Sequence, residues 1–259
     1  MPRFAANLST LFKEVDFLDR FHEAASCGFK AVEFLFPYDY KKEELKKILD
    51  ENKLEVALFN TVPGDPSKGE WGHAGVPGKE QDFKAEIENS LDYAIALNCK
   101  TVHVMSAVVP HPWEKEIYKR TFVKNIRMAA ALFAKYDKHI TMEALCPEIK
   151  PNYLYHSQFE TLELMEEIAC DNVFIQLDIF HAQMVDGQLT HLIKDYVGKY
   201  GHVQIASAPD RHEPDEGEIN YPYIFKLFDE VGYKGYIGCE YNPRTTTKEG
   251  LSWIKPYLK

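Results

Sequence analysis

Short apolar runs, most with one polar residue set between two apolar ones near the C-terminal end, recur along the whole chain at residues 4–8, 31–36, 54–60, 101–106, 139–145, 173–180, 202–207 and 236–241. Their length and β-branched or aromatic content predict eight strands. Between them apolar residues return with the period of one helical face. The positions are Phe17, Leu18, Phe21 and Ala25, then Leu45, Ile48 and Leu49, then Phe83, Ile87, Leu91 and Ile95. Later ones are Phe122, Ile126, Ala129, Ala130 and Phe133, then Leu162, Met165 and Ala169, then Ile224, Phe225, Phe228 and Val231, and finally Leu251, Ile254 and Leu258. A fainter helical period covers residues 188–198. Each strand is thus followed by a helix.

A repeat supports this unit. Cys27-Gly28-Phe29-Lys30-Ala31-Val32-Glu33 and Val231-Gly232-Tyr233-Lys234-Gly235-Tyr236 both read as helix stop, aromatic, basic residue, then strand. Glycine after a helix takes the left-handed conformation without a Cβ clash. Eight strand–helix units in 259 residues predict a single α/β domain over residues 1–259, a (β/α)8 TIM barrel. The doubly wound alternative brings a glycine-rich phosphate turn, and neither GxGxxG nor GxxxxGK[ST] occurs. The long irregular segments, 61–79 and 208–220, follow strands, on the side where barrel active sites lie.

Charge narrows the partners. Forty Asp+Glu against 30 Lys+Arg give a net charge of −10, which leaves no global basic surface for a phosphate backbone. The expected partner is a small soluble molecule, with neither nucleic acid nor membrane, and a homo-oligomer is compatible with the sequence. The five cysteines, Cys27, Cys99, Cys146, Cys170 and Cys239, form no CxxC pair or zinc-spaced array, which suits a reduced, cytoplasmic setting. No stretch approaches the roughly 20 apolar residues that span a bilayer, and no signal-peptide core follows Met1.

In a barrel, side chains alternate between the interior and the helix layer. The triplets Met142-Glu143-Ala144, Leu177-Asp178-Ile179, Val203-Gln204-Ile205 and Cys239-Glu240-Tyr241 therefore aim Glu143, Asp178, Gln204 and Glu240 at one pocket, with Thr141, Gln176, His202 and Gly238 two positions earlier. Taken singly, each acid reads equally as a solvated or helix-capping group. At matched parity they converge, and two carboxylates about 5 Å apart repel by roughly 3 kcal/mol at an effective dielectric near 20. Protonation relieves this; so does a hard divalent cation, Mg²⁺ or Mn²⁺, on the oxygen ligands.

Asn7, Glu33, Asn60 and His103 lie near the ends of the first four strands, where they bind substrate, support the site or close the barrel mouth by hydrogen bonding. His181 stands about one turn beyond Asp178, within reach of substrate, whereas His139 and His202 sit earlier on their strands and read as packed. Gly64, Gly69, Gly72, Gly75 and Gly78 flank Trp71 in a segment that reads as a flap or a plain surface loop. Arg211, in Asp210-Arg211-His212-Glu213-Pro214, either clamps a substrate carboxylate or pairs with a local acid. Lys41, Lys42, Lys46 and Lys47 alternate with Glu43 and Glu44 on a solvated helix face.

With these residues in view, the chain resembles the hydroxypyruvate isomerase family of xylose-isomerase-like TIM barrels over essentially its whole length. The likeness is carried by Arg3-Phe4-Ala5-Ala6-Asn7-Leu8-Ser9, Ala31-Val32-Glu33-Phe34-Leu35-Phe36-Pro37-Tyr38, Leu58-Phe59-Asn60-Thr61, Val102-His103-Val104-Met105, Phe174-Ile175-Gln176-Leu177-Asp178, Asp210-Arg211-His212-Glu213-Pro214 and Ile237-Gly238-Cys239-Glu240-Tyr241. The resemblance implies that Glu143 and Glu240 are proton donor and acceptor and that Glu143, Asp178, Gln204 and Glu240 occupy the metal positions. It also implies conversion of hydroxypyruvate into tartronate semialdehyde through a cis-enediolate, with His181, Arg211, Asn7, Asn60 and His103 around the substrate. The family includes relatives acting on the one-carbon-longer 2-oxotetronate, and the loop at Cys146-Pro147-Glu148-Ile149 varies, so substrate length stays open, as does a related sugar epimerase. A metal-dependent abasic-site endonuclease shares the barrel type but needs several zinc ions, more histidines and a basic groove. A catalytically silent sugar-acid sensor is a third alternative.

Overall fold

The computed structural model describes residues 2–258. Eight parallel strands close on themselves in chain order: β1 (Arg3–Asn7), β2 (Ala31–Phe34), β3 (Glu55–Asn60), β4 (Thr101–His103), β5 (His139–Glu143), β6 (Val173–Asp178), β7 (Tyr200–Ile205) and β8 (Tyr236–Cys239). β8 returns to β1 with Phe4 beside Ile237 and Ala6 beside Cys239, so no sheet edge is left to solvent. The helices α1 (Arg20–Ser26), α2 (Lys42–Asn52), α3 (Glu80–Ala96), α4 (Lys115–Ala134), α5 (Gln158–Ile168), α6 (Ile179–Val185), α7 (Leu189–Asp195), α8 (Tyr221–Glu230) and α9 (Thr247–Gly250) fill the connections and the C-terminal segment. The (β/α)8 expectation holds.

Alternation along the strands divides the molecule in two. One set, including Val32, Phe34, Val102, Ile140, Met142, Ile175, Leu177, Val203, Ile205 and Ile237, joins the large apolar core with helix residues such as Phe21, Leu45, Phe83, Ile87, Phe122 and Ile126. The other set, pointing the opposite way, is small or polar and still buried: Ala5, Asn7, Ala31, Glu33, His103, Thr141, Glu143, Gln176, Asp178, His202 and Gln204. Apolar burial at about 25 cal/mol per Å² therefore comes mainly from the outer layer, and the barrel interior is free to carry chemistry. Irregular pairing between Ile175 and Gln176 against β7 keeps Gln176 beside His202 and Asp178 beside Gln204.

Several boundaries differ from the pattern. β2, β4, β5 and β7 end earlier than residues 36, 106, 145 and 207, once the polar residue of each has been placed at the mouth, and β8 ends at Cys239, so that Glu240 is the first residue beyond it. β6 stops at Asp178, not 180: the Asp178 side chain accepts a hydrogen bond from the Phe180 N–H and caps α6, so Ile179 and Phe180 are helical. The helix expected at Leu251, Ile254 and Leu258 is a series of turns after α9. Pro256 has no N–H to donate and disfavours helical geometry at Lys255. The repeated stop holds, with Gly28 and Gly232 at φ +98° and +74°. Among the described residues no helix is long and apolar enough to cross a membrane.

Candidate active site

β5, β6 and β8 bring Glu143, Asp178 and Glu240 to the C-terminal end of the barrel. There Glu143 and Glu240 border a small cavity of about 70 Å³ with Asn60, His103, His181 and Arg211, while Asp178 is outside its wall and reaches Arg211 Nη2 at 3.5 Å. Its remaining wall is apolar, from Leu35, Trp71, Met105, Leu145 and Ile149. A larger cavity of about 480 Å³ opens at the opposite end around Lys46, Lys100, His139 and Tyr236. The chemistry-bearing groups converge at the smaller one, on the face where barrel enzymes build their sites.

Arg211 reaches into this cavity from the loop after β7, where it adopts a left-handed backbone conformation, φ +56°. Its Nη2 lies 2.8 Å from Glu240 Oε1 and 3.5 Å from Asp178 Oδ2. The neighbouring loop acid Glu213 is taken by Arg244 instead, at 2.9 Å. Arg211 thus bridges two carboxylates of the site, and its guanidinium supplies part of the positive charge that the acids require.

All three acids are held above the ordinary carboxylate range. Burial is the main cause for each. Glu240 is pushed up to about 8, against the pull of Arg211 and with repulsion from Asp178 and Glu33. Glu143 is raised well above its usual value by burial, Glu240 and Asp178. Asp178 is raised by burial, opposed by Arg211 and by the backbone N–H groups of Phe180 and His181. A carboxyl group raised to about 8, as that of Glu240 is, exchanges protons near neutrality.

Behind them runs a buried chain of hydrogen bonds. Thr141 Oγ1 donates to Gln176 Oε1 (3.1 Å), Gln176 Nε2 to Gln204 Oε1 (2.6 Å), and Gln204 Nε2 to Glu33 Oε1 (2.8 Å) and Glu240 Oε2 (2.5 Å). Asn7 Nδ2 donates to Glu33 Oε1 (2.9 Å) and to Glu240 Oε2 (3.2 Å), so Asn7 is turned to these carboxylates and not to the cavity. His202 Nε2 lies 2.6 Å from Glu33 Oε2, the packed and satisfied role read from its place early on the strand.

Glu143, Asp178 and His181 place potential ligand atoms within 4.8 Å of one another, and Asp178 Oδ2 and His181 Nε2 are buried without a hydrogen-bond partner. The Cys146 N–H donates to His181 Nδ1 at 3.0 Å, so the neutral ring carries its proton on Nε2. Burial, followed by Arg211, holds the ring neutral, well below the usual histidine value. His181 therefore offers an N–H to a ligand oxygen, and the anionic oxygens of Glu143 and Asp178 are the donors within that distance, with Glu240 outside the cluster and joined to Asp178 through Arg211. That set fits a hard divalent cation. Gln204 presents its amide nitrogen to Glu240, and offering an oxygen requires the amide to turn over.

On the β3–β4 side, His103 Nδ1 lies 3.7 Å from Glu143 Oε2. Burial, with His202, pushes this ring down to about 3. Asn60 Nδ2 points at Met105 Sδ, 3.7 Å away. Over the mouth, Trp71 meets Phe36 edge-on at 6.4 Å between ring centres, and Lys150 Nζ sits 3.8 Å above the Trp71 ring. Trp71 stands out in the sequence among its glycines, whereas nothing in the local pattern of Lys150 or Leu145 marks them as lying near a cavity. His73 lies 2.6 Å from Glu86 Oε1 and 3.1 Å from Glu70 Oε2, and in the sequence only its spacing from Glu70 hints at a pair.

Comparison with known proteins matches residues 21–257 to the family model of xylose isomerase-like TIM barrels. A Haemophilus influenzae protein named 2-oxo-tetronate isomerase is 59% identical over 99% of this chain and 100% of its own length. An Escherichia coli protein named hydroxypyruvate isomerase is 44% identical over 99% of this chain and 100% of its own. A crystal structure from Brucella melitensis, named as an AP endonuclease of family 2, superposes with a TM-score of 0.97 at 47% identity, covering 99% of both chains.

Proposed function

The chain belongs to the xylose isomerase-like TIM barrel family, and from that premise we propose that it moves one proton between adjacent carbons of a short 2-oxo hydroxy acid. It is an isomerase of the aldose–ketose type. Its substrate is hydroxypyruvate, giving tartronate semialdehyde, or the one-carbon-longer 2-oxotetronate. The observation that carries the reading is a pair of buried carboxyl groups, Glu143 and Glu240, both raised in pKa and both bordering a cavity that also holds Arg211. At about 70 Å³ this cavity is far below the roughly 300–1,000 Å³ of sites for drug-sized ligands, so its ligand has few heavy atoms.

Arg211 offers its planar N–H groups to the substrate carboxylate, and His181 Nε2–H donates to a neighbouring substrate oxygen. One glutamate takes the proton from the carbon bearing the hydroxyl. The other returns a proton to the adjacent carbon of the enediolate so formed, and the hydroxyl proton passes from the first oxygen to the former oxo oxygen, so that no carbon–carbon bond breaks. Asn7 and Gln204 keep the Glu240 carboxyl in orientation. A divalent cation, Mg²⁺ or Mn²⁺, would be held by Glu143 and Asp178 with Glu240 beside them, and would supply Lewis-acid polarisation of the oxo group when bound.

Deuterium from D₂O is expected at the reacting carbon of the product, and Glu143→Gln and Glu240→Gln are each expected to lower kcat by at least about 10³-fold while the protein still folds. Full retention of the migrating hydrogen, or near-normal turnover in either variant, would remove the two-glutamate mechanism. The endonuclease reading suggested by the name of the Brucella structure is opposed by the small cavity beneath Trp71 and by the net charge of −10.

A further inference from the structure

The cavity leaves three buried hydrogen-bonding atoms unpaired on its β3–β4 side: Asn60 Oδ1 and both ring nitrogens of His103. Asn60 is 4% exposed and His103 1%, so bulk water does not reach them, and buried polar atoms ordinarily have partners. The missing partner is the ligand. Its chemistry can be read from what the two side chains offer. A neutral imidazole presents one N–H and one lone pair, and Asn60 presents a carbonyl oxygen, since its nitrogen is turned to Met105 Sδ. A hydroxyl both donates and accepts: with the histidine proton on the nitrogen that faces it, it accepts from that N–H and donates to Asn60 Oδ1. A carboxylate only accepts, and would face Asn60 Oδ1 acceptor to acceptor. The cation that lines the cavity, Arg211, comes from the loop after β7 on the other side of the barrel, where it is bonded to Glu240.

We propose that Asn60 and His103 form the subsite for the terminal hydroxyl of a four-carbon 2-oxo acid, and so set the preference for a four-carbon over a three-carbon substrate. The assignment rests on the isomerase reading above. With the substrate carboxylate on Arg211 and the reacting carbons beside Glu143 and Glu240, a fourth carbon extends toward β3 and β4. A three-carbon acid stops short and leaves Asn60 Oδ1 and the facing nitrogen of His103 unpaired. A site built to bond a hydroxyl rejects the analogue that lacks it far more strongly than an apolar pocket rejects a missing methylene.

The test compares kcat/KM of the metal-loaded enzyme for 2-oxotetronate, hydroxypyruvate and the 4-deoxy analogue 3-hydroxy-2-oxobutanoate, which keeps the fourth carbon without its hydroxyl. The expected result is a preference of about 10²-fold or more for 2-oxotetronate over both others. In Asn60→Leu, the ratio of 2-oxotetronate to hydroxypyruvate is expected to fall at least about tenfold, a change in ratio that mere loss of folded enzyme does not produce. Equal turnover of the 4-deoxy analogue and 2-oxotetronate, or an unchanged ratio in Asn60→Leu, overturns the subsite and leaves the isomerase intact. Failure to turn over any of the three acids overturns the isomerase reading itself.

Discussion

Glu33 is a carboxylate without solvent, 0% exposed, and it lasts in that position because Asn7, Gln204 and His202 all point hydrogen-bonding nitrogens at it. Two of those three, Asn7 and Gln204, also bond Glu240, so the orientation of the proposed proton carrier is tied to the packing of a residue that does no chemistry. Gly238 completes the arrangement: a Cβ on it would overlap the Glu33 carboxylate. Gly238→Ala is therefore expected to destabilise the fold by about 1–3 kcal/mol, as overpacking does, and to lower kcat more than it changes KM, because Glu240 loses alignment. Denaturant midpoints together with steady-state kinetics check it; a variant with wild-type values on both counts would show that Glu33 moves without consequence. Parity in the sequence places Gly238 two positions before Glu240, but the reason a side chain is excluded there lies on β2, 205 positions away, and no local pattern carries it.

The segment joining β3 to α3 carries Trp71 over the cavity mouth and is fastened by a buried histidine. His73 lies between Glu86 of α3 and Glu70 of its own loop, with Asp82 and Lys79 adding weaker fields to these acids. Burial opposes its charge, but the hydrogen bonds and charges of Glu86 and Glu70 outweigh that and hold it above the usual histidine value. A histidine raised in this way stabilises the fastened loop fully below its unfolded value of about 6.5, and the contribution is lost as pH climbs through the higher folded value. Trypsin cleavage after the exposed Lys68 should accordingly be slower in wild type than in His73→Gln at about pH 6 and equal in the two at about pH 9. A ratio that stays constant across that range would count against the fastening. Sequence composition already marked this segment as glycine-rich and centred on Trp71, which left a flap and a plain surface loop equally open. What it did not convey at the level of elements was α6: the apolar residues Ile179 and Phe180 continue the β6 run, and an apolar run alone does not separate strand from helix. The decision is made by Asp178, which both faces the site and caps the helix.

The closed barrel was legible because its two faces obey different rules. The outward face of every strand must be apolar to bury the helices, so each inward polar residue stands out as an exception at fixed parity, and Glu143, Asp178, Gln204 and Glu240 could be placed together before any coordinates. Parity gives direction but not pairing, which is why Arg211 could be assigned equally to substrate or to a nearby acid, and why its bridge from Asp178 to Glu240 needed the folded chain. The same closure makes ion binding a property of the entire molecule: the acids come from β5, β6 and β8, and no single strand–helix unit holds two of them. A cation that binds this arrangement stabilises the native state alone, by about 2.7 kcal/mol at a hundredfold excess over Kd. For a chain of this size that corresponds to a rise in Tm of about 5–10 °C. Mg²⁺ or Mn²⁺ added to chelator-treated protein is expected to give this rise. Asp178→Asn is expected to lose most of it while keeping its metal-free Tm, since asparagine caps α6 as well as aspartate does but brings no anionic oxygen to the cation. An equal rise in the variant would place the ion elsewhere, and no rise in wild type would leave Arg211 as the counter-charge on which the three acids depend.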